Sequence, residues 1–220
     1  MASQAQKNLA TLIEYAEDPQ VWRDAPANFK DGKLKILDHP VMEDWERPYM
    51  EELARIATMN GGVVLEVGFG LAISANYVQS HPIEKHIIIE ANAEVFSKLK
   101  EFAQTAEKPV EAHLGLWQDF VPTIPDASID GILFDPYALS VEDLDCHYPF
   151  FQHAYRILKP GGIFTYYSDE ATDFSPEHLE RLQSAGFEMI ESQLCAVDPP
   201  EDCLYWSYED KTLLVPIIRK

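Results

Sequence analysis

The sequence predicts a doubly wound α/β fold around a mostly parallel sheet. Three apolar runs carry that prediction: Val63-Val64-Leu65-Glu66-Val67, His86-Ile87-Ile88-Ile89-Glu90 and Gly131-Ile132-Leu133-Phe134-Asp135. Each ends in or beside an acid, and stretches of helical patterning lie between them. Short continuous apolar runs alternating with helices describe strands buried on both faces and joined by crossover helices. A chain of 220 residues fits one such core as a single domain, 1–220, with an N-terminal arm or lid over 1–47 and a catalytic α/β core over 48–220.

The elements follow in order. Leu9, Leu12, Ile13 and Ala16 fall at helical spacing between Ala2 and Glu17, and Asp18-Pro19 stops them, which predicts a helical N-terminal arm. Trp22 to Pro40 is rich in Pro, Asp, Asn, Lys and Gly and reads as a surface arm or a lid. Pro48 starts a helix through Tyr49, Leu53 and Ile56 to Asn60, stopped by Gly61-Gly62. Ala72 to Ser80 and Ala93 to Ala106 read as crossover helices, and Val110 to His113 as a strand. Phe150 to Leu158 reads as a helix closed by Lys159-Pro160-Gly161-Gly162, then come strand Ile163 to Tyr167, helix Pro176 to Ser184 and strands Phe187 to Leu194 and Thr212 to Ile218.

Composition narrows the function classes. Apolar residues are 46% and charged residues 25%, which excludes disordered and collagen-like chains. Seventeen basic against 37 acidic residues give a net charge of −20, which repels phosphate backbones and anionic lipid and attracts cations. Nucleic acid and membrane partners are not expected. Cys146, Cys195 and Cys203 form no CxxC pair and no zinc pattern, so reduced thiols, no metal and a cytoplasmic location are expected. A monomer or a homodimer fits equally well.

Glu66-Val67-Gly68-Phe69-Gly70 follows the first core strand, where glycines let backbone approach a ligand. The third glycine of the dinucleotide pattern is replaced by Ile73. Glu90 ends the next strand, where a carboxylate can accept both ribose hydroxyls. A glycine loop with this downstream acid and no pyrophosphate grip suits S-adenosylmethionine as cofactor. With Leu158-Lys159-Pro160-Gly161-Gly162 added, the set resembles the class I S-adenosylmethionine-dependent methyltransferases, which implies a Rossmann-like seven-stranded sheet whose last strand runs antiparallel.

The segments Val41-Met42-Glu43-Asp44-Trp45-Glu46-Arg47-Pro48-Tyr49-Met50, Gly115-Leu116-Trp117-Gln118-Asp119 and Pro199-Pro200-Glu201-Asp202-Cys203, with the runs around Gly68 and Asp135, resemble the guanidinoacetate N-methyltransferase family. That resemblance implies a transferase that makes creatine from guanidinoacetate, with a related branch acting on protein arginine. It implies cofactor contacts from Trp22, Met42, Met50, Glu66, Gly68, Phe69, Gly70, Leu71, Ala72, Ile73, Ser74, Glu90, Ala91, Asn92, Trp117, Gln118 and Asp135. Core packing is the competing reading for Met42, Met50 and Trp117. Glu46 and Asp135 are the expected catalytic pair. A guanidinium is a planar fork that two carboxylates can clamp, and its attacking nitrogen must lose a proton, which Asp135 is placed to accept. Dipole compensation by Glu46 and capping by Asp135 are the structural alternatives.

The sequence departs from creatine-forming members at Pro136, where they carry Thr, while Tyr137 is kept. Asp169 and Glu170 fall where family backbone amides hold the substrate carboxylate. Met42, Glu46, Asp135, Tyr137, Asp169 and Glu170 are therefore the expected substrate contacts. Two acids there would repel guanidinoacetate, which favours a guanidine with a neutral, cationic or longer tail, agmatine-like or arginine-like. If both acids face outward, guanidinoacetate remains the substrate. A protein-arginine N-methyltransferase, which needs an open groove, and a non-catalytic cofactor-binding homologue are the alternatives.

Overall fold

The computed structural model describes residues 18–140, 147–207 and 209–220, so the helix expected over Ala2–Glu17 and the thiol of Cys146 lie outside the described residues. Helix α1 (Pro19–Asp24) is capped by Asp18, whose carboxylate accepts the Gln20 amide at 2.9 Å. The stretch expected as a surface arm or a lid forms a three-stranded antiparallel sheet, β1 (Ala27–Lys30), β2 (Lys33–Ile36) and β3 (His39–Glu43). Its hairpins turn at Asp31-Gly32 and Leu37-Asp38, all four residues with positive φ, the conformation a two-residue hairpin loop demands. Leu34 and Ile36 share the buried face of β2.

Asp44–Glu46 form one 3₁₀ turn, and helix α2 (Arg47–Ala57) follows with Pro48 in its first turn, where a missing N–H costs nothing. Its stripe of Tyr49, Met50, Leu53, Ala54 and Ile56 is fully buried, and each large side chain of this kind contributes about 1.5–3 kcal/mol. Strands β4 (Gly62–Val67), β5 (Ile83–Glu90), β6 (Val110–Leu114), β7 (Ile129–Phe134), β8 (Leu158–Tyr166), β9 (Met189–Ala196) and β10 (Thr212–Arg219) form one seven-stranded sheet in the order β6-β5-β4-β7-β8-β10-β9. Only β10 runs against its neighbours. Helices α3 (Ile73–Gln79) and α4 (Ala93–Thr105) join α2 on one face. On the other lie α5 (Trp117–Phe120), α6 (His147–Ile157) and α7 (Pro176–Ser184).

Two differences from the sequence reading have local causes. Lys159-Pro160-Gly161-Gly162, read as a helix stop, lies inside β8, because Gly161 N donates to the Lys220 carbonyl at 2.8 Å and Lys220 N to that of Gly162 at 3.0 Å. The chain's last residues draw that turn into the sheet. Helix α6 already includes His147, three residues before the expected Phe150. Among the described residues no helix is long and apolar enough to cross a membrane.

Strand order reverses direction on either side of β4: β5 and β6 build outward one way, β7 and β8 the other. In such sheets a crevice opens at the carboxyl ends of the strands flanking the reversal. There β4 delivers Gly68, β5 delivers Glu90, β7 delivers Asp135, and β8 delivers Tyr167 and Asp169.

Candidate active site

A single large cavity occupies that crevice, enclosing about 1440 Å³ of empty space with its mouth included. The small sheet roofs it with Leu34, Ile36 and Met42, and the carboxyl ends of β4, β5, β7 and β8 form its floor. Gly68 has φ +92°, and a Cβ there would overlap the carbonyl oxygen of Asp135. Gly70 has φ +51° and lies directly under the Met42 sulfur, which accepts the Leu71 amide at 3.4 Å. Both glycines are thus demanded by conformation and by contact.

Glu46 reaches the cavity from the 3₁₀ turn and is 2% exposed. Its Oε1 accepts the Glu43 amide and the Tyr205 hydroxyl, both at 2.7 Å. Burial is the largest influence on this carboxyl and lifts it to about 7; the Glu43 charge adds to the rise and the two hydrogen bonds oppose it. Asp135 follows β7, its amide held by the Val67 carbonyl at 2.9 Å. Burial, then the charges of Glu46, Asp169 and Glu66, push its carboxyl well above the usual range. Among the described residues no cation stands within ion-pair distance of either acid, and the cavity wall carries no lysine or arginine.

Glu90 closes the β5 end. Its two oxygens accept the Phe69 amide at 3.0 Å and the Asn92 amide at 2.7 Å, while burial raises its carboxyl against these bonds. Trp22 stacks on Tyr137 at 5.0 Å and 5° between planes, and His39 meets the Tyr137 hydroxyl at 3.1 Å. This aromatic stack ties the roof to the loop after β7 at the cavity edge.

Of the site residues expected from sequence, Trp22, Met42, Glu46, Gly68, Gly70, Glu90, Ala91, Trp117, Gln118, Asp135, Tyr137 and Asp169 line the cavity. The others lie off its wall. Met50 is fully buried within the α2 stripe, as core packing requires. Glu66 is engaged beneath the floor by the Ser74 hydroxyl and by His86, whose Nε2 is 2.7 Å from its Oε2. Phe69 packs its ring on Phe102, Leu71 and Ala72 form the turn into α3, and Ile73 and Ser74 begin that helix. Asn92 caps α4 and holds the Trp22 and Ala25 carbonyls at 2.9 Å each. Glu170 turns away to the Ser175 amide at 3.2 Å and His178 Nδ1 at 3.5 Å. Sequence reasoning missed Tyr205, Tyr167 and His147. Tyr205 follows the recognised Pro199–Cys203 stretch closely, whereas no spacing marks the other two.

The wall fits S-adenosylmethionine. Glu90 ends a strand beside two left-handed glycines, which gives a carboxylate for ribose hydroxyls and an open backbone edge. The surrounding Trp22, Met42, Val95 and Trp117 offer apolar and polarizable surface.

Comparison with known proteins agrees with this geometry. Spermidine synthase in complex with the transition-state analogue AdoDATO superposes with a TM-score of 0.65 at 16% identity, covering 90% of this chain and 74% of that one. Spermidine synthase of Thermotoga maritima gives 0.62 at 17%, covering 90% and 73%, and at such identities the likeness is one of fold. Protein arginine N-methyltransferase 2 of Yarrowia lipolytica is 31% identical over 183 residues, 78% of this chain and 37% of its own length. The Saccharomyces cerevisiae protein of that name is 26% identical over 182 residues, 79% and 40%. This chain therefore spans about two fifths of the curated relatives it matches. The profile of guanidinoacetate N-methyltransferase matches residues 12–220. With the glycine loop, Glu90 and the paired acids on one cavity, that match over nearly the whole length means that the chain belongs to the guanidinoacetate N-methyltransferase family, whose members use S-adenosylmethionine as methyl donor.

Proposed function

We propose that the chain methylates a guanidino nitrogen of a small molecule, guanidinoacetate or a related guanidine such as agmatine or arginine. One observation carries this reading: Glu46 and Asp135, from separate elements, open onto one cavity, and among the described residues no lysine or arginine stands within ion-pair distance of either. Two raised carboxyls in an enclosed site are an electrostatic vacancy for a cation. A guanidinium fills it with up to five N–H donors in a plane, so one acid can orient the fork while the other faces the reacting nitrogen.

S-adenosylmethionine supplies an electrophilic methyl group on a sulfonium and departs as the thioether. The protein must make the nitrogen nucleophilic, since a free guanidinium with a pKa above about 12 holds its protons. A cation seated between the two acids opposes the burial and like charge that raise their pKa values and keeps both ionised until attack. Asp135 then accepts the proton the nitrogen releases as its N–C bond forms. Burial and the neighbouring acids raise its proton affinity, which suits it to take up that proton. Glu46, fixed by Tyr205 and the Glu43 amide through one oxygen, presents the rest of its carboxylate to the fork.

A second reading, methylation of arginine in proteins, is favoured by the fungal relatives of 31% and 26% identity. The roof of β1–β3 and the Trp22–Tyr137 stack count against it, because they cover part of the cavity that a protein chain would have to reach. The test is methyl transfer from labelled S-adenosylmethionine to guanidinoacetate, arginine, agmatine and an arginine-rich protein, with products identified by mass. Turnover of any free guanidine above the protein is the expected result. Labelling of the protein alone would establish the second reading.

A further inference from the structure

We propose that Tyr205 is a positioning residue for Glu46: by donating to Oε1 it holds that acid as a carboxylate, with the second oxygen left for a cationic substrate. The inference rests on the guanidino reading above and adds the group that makes Glu46 fit for it.

Glu43 and Glu46 cap one turn reciprocally, yet their carboxylates end in unlike surroundings. That of Glu43 is answered by Lys33 Nζ at 3.1 Å. Glu46 receives only neutral donors, the Glu43 amide and the Tyr205 hydroxyl, both at 2.7 Å and both on Oε1. Its second oxygen is left for a ligand in the cavity that Glu46 and Tyr205 line together. Among the described residues, Tyr205 is the one side chain that donates to this carboxylate.

A hydrogen bond to the ionised form of an acid favours that form. Burial is the largest influence on Glu46 and lifts it to about 7, and the Tyr205 bond is the strongest of those that oppose the rise. Without it, Glu46 would keep its proton to higher pH and meet a guanidinium as a neutral acid. Burial, then the Glu46 charge, holds the Tyr205 hydroxyl well above its ordinary pKa, so it remains a donor. Its ring packs on Trp45 at 5.8 Å, and its loop, between β9 and β10, reaches β2 through Asp202, 3.5 Å from Lys33. The other groups facing Glu46 do not replace it. Burial keeps Tyr167 and Cys203 protonated, and neither donates to Glu46. Asp135, with Asp169 near it, adds negative charge, while Asp44 and Arg47 in the turn pair with each other at 2.7 Å.

Tyr205→Phe removes one oxygen and keeps the ring. A hydrogen bond to a charged group moves a carboxyl by about one to two pH units, so Glu46 should titrate that much higher in the variant. The readout is the carboxyl carbon resonance of labelled glutamate, with Glu46→Gln assigning the signal. With S-adenosylmethionine and guanidinoacetate, arginine or agmatine, kcat/KM should fall about 5- to 50-fold at pH 7 and recover to within about twofold of the parent at pH 9.5. Glu46 and Asp135 titrate as a pair in both proteins, so the ratio of the two pH profiles reads Tyr205. A ratio that does not change with pH overturns the proposal, as does an unmoved Glu46 titration. If the parent turns over none of these guanidines while the Glu46 titration still moves, the guanidino reading falls and the hold of Tyr205 on Glu46 stands. If there is neither turnover nor movement, both fall.

Discussion

Glu66 and Asp135 stand on neighbouring strands, since β4 and β7 pair Glu66 with Leu133 and Val67 with Phe134, yet the chain treats the two acids in opposite ways. Glu66 is fully buried, takes a hydrogen bond from Ser74 and sits 2.7 Å from His86. His86 is positioned in turn by Gln79, whose carbonyl holds the Lys108 amide at 2.7 Å. Every member of that cluster comes from the protein, so it needs nothing else. Asp135 shares its cavity with Glu46, and among the described residues the wall carries no lysine or arginine. Burying like charges without partners destabilises a fold, and such an arrangement persists when a ligand completes it. The contrast separates an acid that serves the structure from acids that serve a substrate, although both end strands of the same sheet.

The largest test is Asp135→Asn. It removes the proton acceptor and hardly any volume, so turnover should drop by about 10²–10⁴ while S-adenosylmethionine binding survives. Steady-state rates and calorimetry on the same sample check it; activity within about tenfold of the parent would remove Asp135 from the base role.

Glu46→Gln comes next and should move activity and stability in opposite directions. The glutamine carbonyl can still accept from Tyr205 and the Glu43 amide, but the charge for the fork is gone, and kcat/KM should fall about 10- to 100-fold. The Glu46 carboxyl is raised from 4.5 to about 7 in the fold, so the native state prefers it protonated. Stability tied to this group is present below about pH 4.5 and is lost as pH rises through 7, to the order of 3 kcal/mol. The variant should lack that loss, with a higher Tm than the parent at pH 8 and a similar one in acid. Parallel melting curves from pH 4 to 8 check the sign.

Much of this contrast was legible before the structure. The runs ending at Val67, Glu90 and Asp135 fixed the strands whose carboxyl ends carry the site, because a doubly covered sheet needs unbroken apolar runs. What periodicity left hidden is local. Asp31-Gly32 between Lys30 and Lys33 is a hairpin signal, but the flanking Asn28, Lys30 and Lys35 make the strands look like a polar arm. A lid was legible there, but its three strands were missed for that reason. Glu66 and Glu90 read alike in sequence, each an acid at the end of an apolar run; only His86 arriving from β5 separates them. Tyr205 reaches Glu46 across 159 residues, a distance no local pattern spans.

Glu66→Gln probes the other half of the comparison. Glutamine offers one acceptor oxygen where the carboxylate offered two, so the charge facing His86 Nε2 and one of the bonds from Ser74 or His86 are lost in a fully buried site, at a cost of about 1–3 kcal/mol and several degrees of Tm. The KM for S-adenosylmethionine should move less than twofold, roughly the factor expected when no contact is lost. A large rise in that KM with stability intact would place Glu66 among the cofactor contacts and collapse the distinction drawn above.

The smallest effect belongs to the edge of the cavity. Trp22→Leu keeps an apolar side chain over the entrance but removes the stack on Tyr137, a contact worth about 0.5–1.5 kcal/mol, while the Trp22 carbonyl still binds Asn92. If the roof closes over a small guanidine, the KM for that guanidine should rise about two- to tenfold with kcat nearly unchanged, since the stack retains substrate and touches no proton. An arginine-containing peptide should gain relative to the free guanidine as the entrance loosens. Unchanged KM together with no gain for the peptide would mean that the stack holds the roof in place without governing entry. The acids below would then choose the substrate by charge alone.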